Sequence, residues 1–275
     1  MNMPALLDCR DTESFCQGHI IGASCLPAAQ LAARMHELPK RSEPLILCGD
    51  PLSLDLAEVF LTSKGYTIER QIIWSEALRA DLHTKQQLAT GMDSARLWKP
   101  APLIEKFVEE LMPMHDITSG VGLDIACGAG RDAVYLAMNG WQMTGIDYLT
   151  GAIEKTKQLA QQHQVPIQAV LMDLETGNDP FAAYADNTFD LVFVIRYLHR
   201  PLFPYLKRIV KSGGVFMHQT FMQGSEVFGS PKNPNFLLKP NELALLFQEW
   251  AVLYDEIEYL EDGRPVSAFV ARRPC

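Results

Sequence analysis

Residues 122–132 read GLDIACGAGRD, and this stretch decides the fold of the larger part of the chain. Its first five residues are mostly apolar, as expected of a buried strand, and the residues after Asp132 continue as a predicted helix. Between the two, Gly128 and Gly130 allow the backbone to turn tightly and to approach a ligand closely. A strand, a glycine turn and a helix in this order predict a ligand-binding corner, because the free N–H groups of a helix N-terminus favour a carboxylate or another anion.

The sequence after this corner predicts four further strands in an α/β pattern, at residues 141–146, 167–172, 189–195 and 215–221. Charged residues stand where the first three of these strands end, at Asp147, Asp173 and Arg196. In sheets of this kind, ligands bind at the carboxyl ends of the strands near the point where the strand order reverses. We therefore expect Asp124, Asp147 and Asp173 to meet at one cleft, with Asp147 placed to accept hydrogen bonds from two ribose hydroxyls.

Two other interpretations of the corner stay open at this level. A glycine turn alone is as compatible with a simple bend between a strand and a helix as with a ligand site, although Asp147 and Asp173 in register argue against the bend. A nicotinamide dinucleotide would share the glycine turn and the ribose acid. Its usual third glycine would fall at Ala133, which disfavours that ligand.

Five motifs in order carry a family resemblance: LDIACGAGRD, GIDYL, VLMDLE, FDLVFVIRYLH and SGGVFMHQTF. Together they resemble the motif set of class I S-adenosylmethionine (SAM) methyltransferases over roughly residues 98–275. The turn GAGR and the run NPNFLLKP at residues 233–240 are similar to the tellurite-resistance and thiopurine methyltransferase branch. The resemblance implies a Rossmann-like seven-stranded sheet with helices on both faces, whose last strand, residues 265–271, is antiparallel.

The same resemblance implies which residues contact SAM. Asp124, Gly128 and Gly130 would hold the methionine part, Asp147 the ribose, and Asp173 the adenine. The full set of implied SAM-contacting residues is Trp98, Asp124, Ala126, Cys127, Gly128, Gly130, Arg131, Asp147, Tyr148, Asp173, Leu174, Ile195 and Arg196. Trp98 lies before the domain, where a lid over SAM is common in the family, and a plain core role is the alternative for it.

Candidates for contact with the methyl acceptor follow the fourth strand, at Arg196, Tyr197, His199 and Arg200. Arginine can clamp an oxyanion through two parallel hydrogen bonds, and His199 could act as a general base. We assign Arg196 and His199 as the candidate catalytic residues. The alternatives are that Arg200 only pairs with a surface acid and that His199 only caps a helix beginning at Pro201.

A long segment after the fifth strand, residues 223–239, is predicted to be a lid, since long loops over a sheet end are often functional. It contains two prolines, Pro231 and Pro234. The residues to test within it are Glu226, Asn235 and Phe236.

The first part of the chain carries LDCR at residues 7–10, GHIIGA at 18–23 and LP at 26–27. These residues resemble a rhodanese-like sulfurtransferase domain over about residues 4–78, a small α/β domain in which a cysteine ends a buried strand and opens the active loop. Cys48 stands at that place and would be catalytic only if the domain is active. Apolar runs at 5–7, 45–48 and 68–74 predict its strands, and residues 31–38 and 54–64 predict helices.

The loop after Cys48 departs from the active pattern Cys-x-x-Gly-x-Arg, since it reads CGDPLS. Pro51 removes an N–H donor and Ser53 replaces the arginine charge. Asp50 adds a negative charge that disfavours a thiolate. We therefore favour a degenerate domain that supports the rest of the chain, and keep sulfur transfer through a Cys48 persulfide as the alternative. The predicted boundaries are a first domain at 1–80, a linker at 81–99 and a second domain at 100–275.

Composition limits the classes of partner. The net charge is −9, and a protein that binds duplex nucleic acid usually has a basic excess. No apolar run approaches the roughly 20 residues that cross a bilayer, and the first residues do not read as a secretory signal. The six cysteines form no Cys-x-x-Cys pair and no zinc spacing, so we expect no metal and a cytoplasmic location.

The sequence thus predicts an enzyme that methylates a small molecule with SAM. A thiol or an oxyanion of sulfur, selenium or tellurium is the acceptor that the resemblance and the attached rhodanese-like domain suggest. Two alternatives remain, a rhodanese-type sulfurtransferase and a non-catalytic regulator that binds SAM. Neither the acceptor nor the oligomeric state can be read from the residues.

Overall fold

The computed structural model of the chain describes residues 4–275, which form two compact units that meet in the sequence between Lys99 and Pro100. Residues 1–3, with which the predicted first domain begins, lie outside the described residues. No helix in the described part of the chain is both long and apolar enough to span a membrane.

The first unit is built on a parallel sheet of four strands in the order β3-β1-β4-β5. The strands of this unit are β1 Ala5–Asp8, β2 His19–Ile20, β3 Ser24–Cys25, β4 Leu45–Gly49, β5 Ile68–Ile73 and β6 Leu88–Ala89. Its α-helices are α1 Thr12–Gln17, α2 Pro51–Ser63 and α3 Glu76–Thr84. Leucines of β1, β4 and α2 form the core. This is the small α/β domain that the sequence predicts.

The segment expected to be a linker, residues 81–99, belongs to the first unit instead. Helix α3 continues to Thr84, and β6 pairs with β2 in a second, antiparallel sheet. Further along, the backbone N–H of Cys25 donates to Ser94 Oγ at 2.8 Å, and His19 Nε2 lies 3.1 Å from the carbonyl oxygen of Asp93. Ser94 and the backbone of Asp93 thus supply hydrogen bonds to the unit, so the segment is ordered by tertiary contacts.

A second correction concerns residues 31–38, for which a helix is predicted. The structure has two single turns of 3₁₀ helix there, Ala28–Gln30 and Met35–Glu37. Leu31 and Leu38 are both buried in the core of the unit. Packing of these two leucines, and not a continuous helical periodicity, sets the path of the chain.

The second unit contains a sheet of seven strands in the order β12-β13-β11-β10-β7-β8-β9. Its strands are β7 Val121–Ile125, β8 Gln142–Asp147, β9 Ile167–Leu171, β10 Phe189–Ile195, β11 Val210–Phe221, β12 Ala251–Tyr259 and β13 Pro265–Arg272. Neighbouring strands are parallel except that β13 is antiparallel to both β11 and β12. This confirms the predicted Rossmann-like fold and its antiparallel last strand.

The helices of the second unit are α4 Pro102–Lys106, a π-helical turn Phe107–Leu111, α5 Met112–Met114, α6 Arg131–Met138, α7 Thr150–Gln162, α8 Phe203–Ile209 and α9 Glu242–Leu246. One core cluster joins Val192 and Val194 of β10 and Phe216 of β11 to residues of α8 and α9. The strand order reverses at β7, which lies between β10 and β8. A cleft is expected beyond the carboxyl ends of these strands.

Candidate functional site

The predicted glycine turn follows β7, and its two glycines differ in what surrounds them. Ala126, Gly128 and Gly130 all have positive φ, at +58°, +57° and +77°. A Cβ atom on Gly130 would lie 2.6 Å from Thr156 Cγ2, so packing against α7 requires glycine there. A Cβ atom on Gly128 would meet no atom within 4 Å, so this glycine leaves space at the surface of the turn. That open space is where a ligand can approach the backbone.

Asp147 ties the corner to the neighbouring strand. It ends β8 and is buried; its Oδ2 accepts a hydrogen bond from the backbone N–H of Gly128 at 2.9 Å. Its Oδ1 accepts from the backbone N–H of Leu149, also at 2.9 Å. A carboxylate has about four acceptor positions, so both oxygens can accept further hydrogen bonds from a ligand.

Asp124, at the end of β7, carries an unsatisfied oxygen. The residue is only 2% exposed, and its Oδ2 has no hydrogen-bond partner among the described residues. Burial, and then the nearby carboxylates of Asp132 and Asp147, raise the pKa of Asp124 well above its usual value. An orphaned buried acceptor is costly, and a cationic donor such as an ammonium group would relieve that cost.

A cavity of about 410 Å³ opens beside these residues, and we call it the strand-end cleft. Its lining residues are Ala126, Asp147, Tyr148, Met172, Asp173, Leu174, Glu175 and Tyr197. Five of them, all but Met172, Glu175 and Tyr197, are in the implied SAM-contacting set. Tyr197 is one of the acceptor candidates that follow the fourth predicted strand. Met172 directly follows β9 and Glu175 lies four residues beyond it, so extending the strand-end rule along this loop would have found both. Asp124 does not line the cleft; it is buried beside it.

The remaining residues of the implied set take different places. Arg131 begins α6 directly after the corner, and Ile195 is the last residue of β10. The Cys127 thiol points inward, 3.7 Å from Thr156 Oγ1, and burial raises its pKa, so this residue can offer a ligand its backbone rather than a thiolate. Trp98 lies in the first unit, where its indole is buried and the Arg96 guanidinium lies 4.9 Å from the ring centre.

A second cavity, the Arg196 pocket, adjoins the strand-end cleft because Tyr197 lines both. It measures about 350 Å³ and is lined by Arg196, Tyr197, Leu198, Thr220, Phe221, Ser230, Pro231 and Phe236. Arg196 has a left-handed backbone with φ +61°, and its N–H donates to the carbonyl of Gln219 at 2.7 Å. This conformation is uncommon for a residue with a side chain, and such strain is concentrated at functional sites.

Arg200 has a structural role in the lid segment. It donates two hydrogen bonds to the carboxylate of Glu242, at 2.6 and 2.9 Å, and two more to the carbonyls of Asn235 and Leu237. The alternative prediction for this residue, pairing with an acid, is what the structure shows. Arg200 thereby fixes one end of the predicted lid.

His199 lies outside both cavities. Its Nδ1 is 3.9 Å from Glu175 Oε2, and the hydroxyl of Tyr197 donates to Glu175 Oε1 at 3.0 Å. His199 precedes a short 3₁₀ helix, Arg200–Leu202, but its side chain makes no capping hydrogen bond. Glu175 thus connects two candidate residues, with Tyr197 at the cavities and His199 behind it.

Of the three lid residues selected from the sequence, Phe236 lines the Arg196 pocket. Glu226 Oε2 accepts from the backbone N–H of Gly224 within its own turn. Asn235 contributes its carbonyl to Arg200 and its N–H to Asn233. Within the described residues, no group of three or more His, Cys, Asp and Glu side chains could hold a metal ion.

Cys48 in the first unit lacks the exposure and the lowered pKa of a reactive thiol. The residue is 0% exposed, and burial followed by the charge of Asp8 raises its pKa to about 12. Helix α2 begins almost at once after β4, and Asp50 Oδ1 accepts hydrogen bonds from the N–H groups of Leu52 and Ser53, each at 3.1 Å. The donors that would hold a persulfide are occupied by this carboxylate, which favours the prediction of a degenerate domain.

Family comparisons match both units. The family described as "Methyltransferase domain" matches residues 123–214, and the rhodanese-like domain family matches residues 1–73. Along its whole length the chain is similar to the protein "Uncharacterized protein UNK4.09" of Schizosaccharomyces pombe, with 23% identity over 97% of this chain and 93% of that protein.

A shorter match covers about half of the chain. The chain is 25% identical to "Probable S-adenosyl-L-methionine-dependent methyltransferase TehB" of Haemophilus influenzae, over 49% of this chain and 47% of that protein, so the match spans about half of that relative. The crystal structure of TehB from Haemophilus influenzae superposes with a TM-score of 0.50 at 20% identity, over 60% of this chain and 61% of that chain. This structural likeness concerns the fold.

Proposed function

We propose that this chain, a SAM-dependent methyltransferase with an N-terminal rhodanese-like domain, transfers a methyl group to a small nucleophile, and that the acceptor is a thiol or an oxyanion of sulfur, selenium or tellurium. The methyltransferase and rhodanese-like family matches support the class of enzyme. The choice of acceptor rests on the resemblance to the tellurite-resistance and thiopurine branch.

The observation that carries the assignment of the cofactor site is the open corner beside an orphaned acid. Asp124 Oδ2 needs a donor, and the α-ammonium group of SAM would be one. The N–H groups at the start of α6 suit the carboxylate of an amino acid, and Asp147 retains acceptor positions for ribose hydroxyls. Asp173 and Leu174 then remain for the adenine end of the strand-end cleft. The donor set therefore fits a nucleoside that carries an amino acid.

When bound, SAM supplies a methyl group on a positively charged sulfur, which a nucleophile can displace. The residues of the chain would hold the two reactants in line and exclude water between them. Because Tyr197 lines both cavities, an acceptor in the Arg196 pocket would lie next to a cofactor in the strand-end cleft. A thiolate or an oxyanion needs no general base. This is consistent with the position of His199 outside both cavities.

Tyr197 would act as a hydrogen-bonding wall between the cavities. Burial, and then its hydrogen bond to Glu175, raise the pKa of the phenol above its usual value. The hydroxyl therefore keeps its proton at neutral pH and cannot serve as a base there.

The test is the affinity of the Asp147→Ala variant for SAM, measured by calorimetry. We expect the affinity to fall by about 2 kcal/mol, roughly thirtyfold, because charge-assisted hydrogen bonds to the ribose are lost. Asp55→Ala, which removes an exposed carboxylate of α2, serves as the matched control and should bind SAM normally. Unchanged affinity of Asp147→Ala would show that the ribose lies elsewhere.

Turnover separates an enzyme from a regulator. Formation of S-adenosylhomocysteine (SAH) is measured with a panel of thiols and with sulfite, selenite and tellurite. An acceptor-dependent signal supports the proposal. Tight binding of SAM without SAH formation across the panel would favour the non-catalytic regulator.

A further inference from the structure

We propose that the Arg196 pocket binds an organic anion, a molecule with an apolar body and a carboxylate or similar oxyanion group, with Arg196 as the residue that binds the anionic group. The inference rests on the proposed function, because it identifies the acceptor of that methyl transfer. It narrows the acceptor class to anions larger than a bare inorganic oxyanion.

The first observation is a guanidinium group without a hydrogen-bond acceptor among the described residues. Among residues 4–275, no side-chain hydrogen bond or ion pair engages the guanidinium group of Arg196, which lines the pocket. Arg200, four residues later, has four acceptors. An arginine stays charged in proteins and offers a planar set of donors that matches a carboxylate. Arg196 is exposed to solvent, so its guanidinium donors are available to an anionic ligand.

The second observation is a neighbouring positive charge. The guanidinium carbons of Arg196 and Arg264 lie 4.8 and 4.6 Å from the centre of the same ring, that of Phe221. Desolvation, followed by repulsion from Arg264, lowers the pKa of Arg196. Asp262 already binds Arg264, with 2.9 Å between its Oδ2 and Arg264 Nε. The carboxylates of Asp262, Asp132 and Glu258 act on Arg196 in the opposite direction. An anion bound to Arg196 would relieve the remaining repulsion between the two arginines.

Arg264 also positions a wall of the pocket. Its Nη1 donates to the carbonyl of Ser230, and Ser230 and the adjacent Pro231 line the cavity. The turn between β12 and β13 is thereby connected to the lid segment. We assign Arg264 as a positioning residue and Arg196 as the residue that contacts the ligand.

The third observation is the size of the Arg196 pocket and its apolar lining. A volume of about 350 Å³ corresponds to on the order of ten water molecules at about 30 Å³ each, so a bare inorganic oxyanion would fill a small part of it. Leu198, Phe221, Pro231 and Phe236 supply apolar walls around the cation. A pocket with an apolar lining and one charged group suits an apolar ligand that carries one anionic group.

The experiment compares two aryl thiols that differ in one ring substituent, a carboxylate in 4-mercaptobenzoate and a neutral amide in 4-mercaptobenzamide. Their dissociation constants are measured by calorimetry on the full chain saturated with SAH. We expect the carboxylate to bind at least about tenfold more tightly than the amide, as for a hydrogen bond to a charged group. Selenite should bind more weakly than 4-mercaptobenzoate. Equal binding of the two aryl probes, or tighter binding of selenite, would overturn the proposal.

Variants test whether the preference for the carboxylate probe arises in the Arg196 pocket. Arg196→Gln should abolish the preference for the carboxylate, Arg196→Lys should retain part of it, and Arg70→Gln, which removes an exposed charge of the first unit, should leave it unchanged. Arg264→Gln should reduce the preference less than Arg196→Gln does. A full preference in Arg196→Gln would contradict the role of this residue.

A second variant covers the case in which Arg196→Gln no longer binds SAH. Phe236 is 51% exposed, so Phe236→Glu should fold and place a negative charge at the wall. Phe236→Glu should weaken the binding of 4-mercaptobenzoate relative to that of 4-mercaptobenzamide, whereas Phe236→Gln should not. An unchanged preference in Phe236→Glu would place the anion outside the pocket.

Methylation of the same probes distinguishes failure of this inference from failure of the proposed function. In that reaction the aryl thiolate sulfur forms a bond to the methyl group while the bond from the methyl carbon to the SAM sulfur breaks. SAH leaves, and the thiol proton passes to solvent. SAH formation with both probes at equal efficiency would preserve the methyltransferase assignment and reject the anion site.

Discussion

Each unit of this chain contains a corner where a buried parallel strand turns into a helix, and the two corners have opposite outcomes. After β7, the turn at Gly128 faces open space, and Asp124 Oδ2 has no hydrogen-bond partner within residues 4–275. After β4, Asp50 accepts from the first N–H groups of α2, and Cys48 is sealed in the core. The N-terminus of a helix attracts an anion in both cases. One corner leaves that position open, and the other fills it with its own side chain.

The largest effect on the open corner is expected from Gly130→Ala. Its Cβ would collide with Thr156, which is fully buried and donates its hydroxyl to the carbonyl of Gly128. Overpacking together with a left-handed φ should destabilise the second unit by about 3 kcal/mol. The free energy of unfolding in urea measures this. Gly151→Ala, in α7 with no atom near its Cβ position, is the control and should not destabilise the unit.

A smaller and different effect is expected from Gly128→Ala. No atom of the described residues lies within 4 Å of this Cβ position, so the fold should lose only about 1 kcal/mol from the positive φ. The methyl group would occupy the space left for a ligand, and we expect SAM affinity to fall by about tenfold. Calorimetry and urea unfolding on the same variant separate the two effects. Wild-type affinity in Gly128→Ala would mean that SAM does not approach this turn.

The open corner could be predicted from the sequence because its parts are local. The strand, both glycines and Asp147 fall within a short stretch, and strand-end acids follow a general rule of parallel sheets. The Arg196 pocket could be predicted only in part. Arg264 reaches Phe221 because β13 pairs with β11, with Phe221 opposite Val266, and no local pattern indicates that pairing.

The sequence at the closed corner contains a helix start that also explains why the corner is closed. Asp50 followed by Pro51 is a typical start of a helix, an N-cap acid with proline in the first turn. In the sequence, Asp50 indicates a charge that disfavours the thiolate; in the structure it also occupies the donors of the corner. The segment 81–99 was less predictable, since its partners, such as His19, lie about seventy residues away.

The smallest effect is expected at the closed corner itself. With a pKa of about 12, Cys48 would be thiolate in about one molecule in ten thousand at pH 8. We expect iodoacetamide to label the exposed Cys275 at that pH and to leave Cys48 unlabelled in the folded chain, as mass spectrometry of the digested protein would show. Cys48→Ser should leave SAM turnover unchanged, and both proteins should lack sulfur transfer from thiosulfate.

The burial of Cys48 also determines how the stability of the fold changes with pH. Because the folded state raises the pKa of Cys48 from 9.0 to about 12, the protonated thiol favours folding. The contribution of the protonated thiol to the free energy of unfolding is complete below pH 9 and is lost as the pH rises towards 12. Labelling of Cys48 should therefore begin only in that range. Rapid labelling at pH 8, or thiosulfate activity that disappears in Cys48→Ser, would show that the corner opens in solution and would restore the sulfurtransferase alternative.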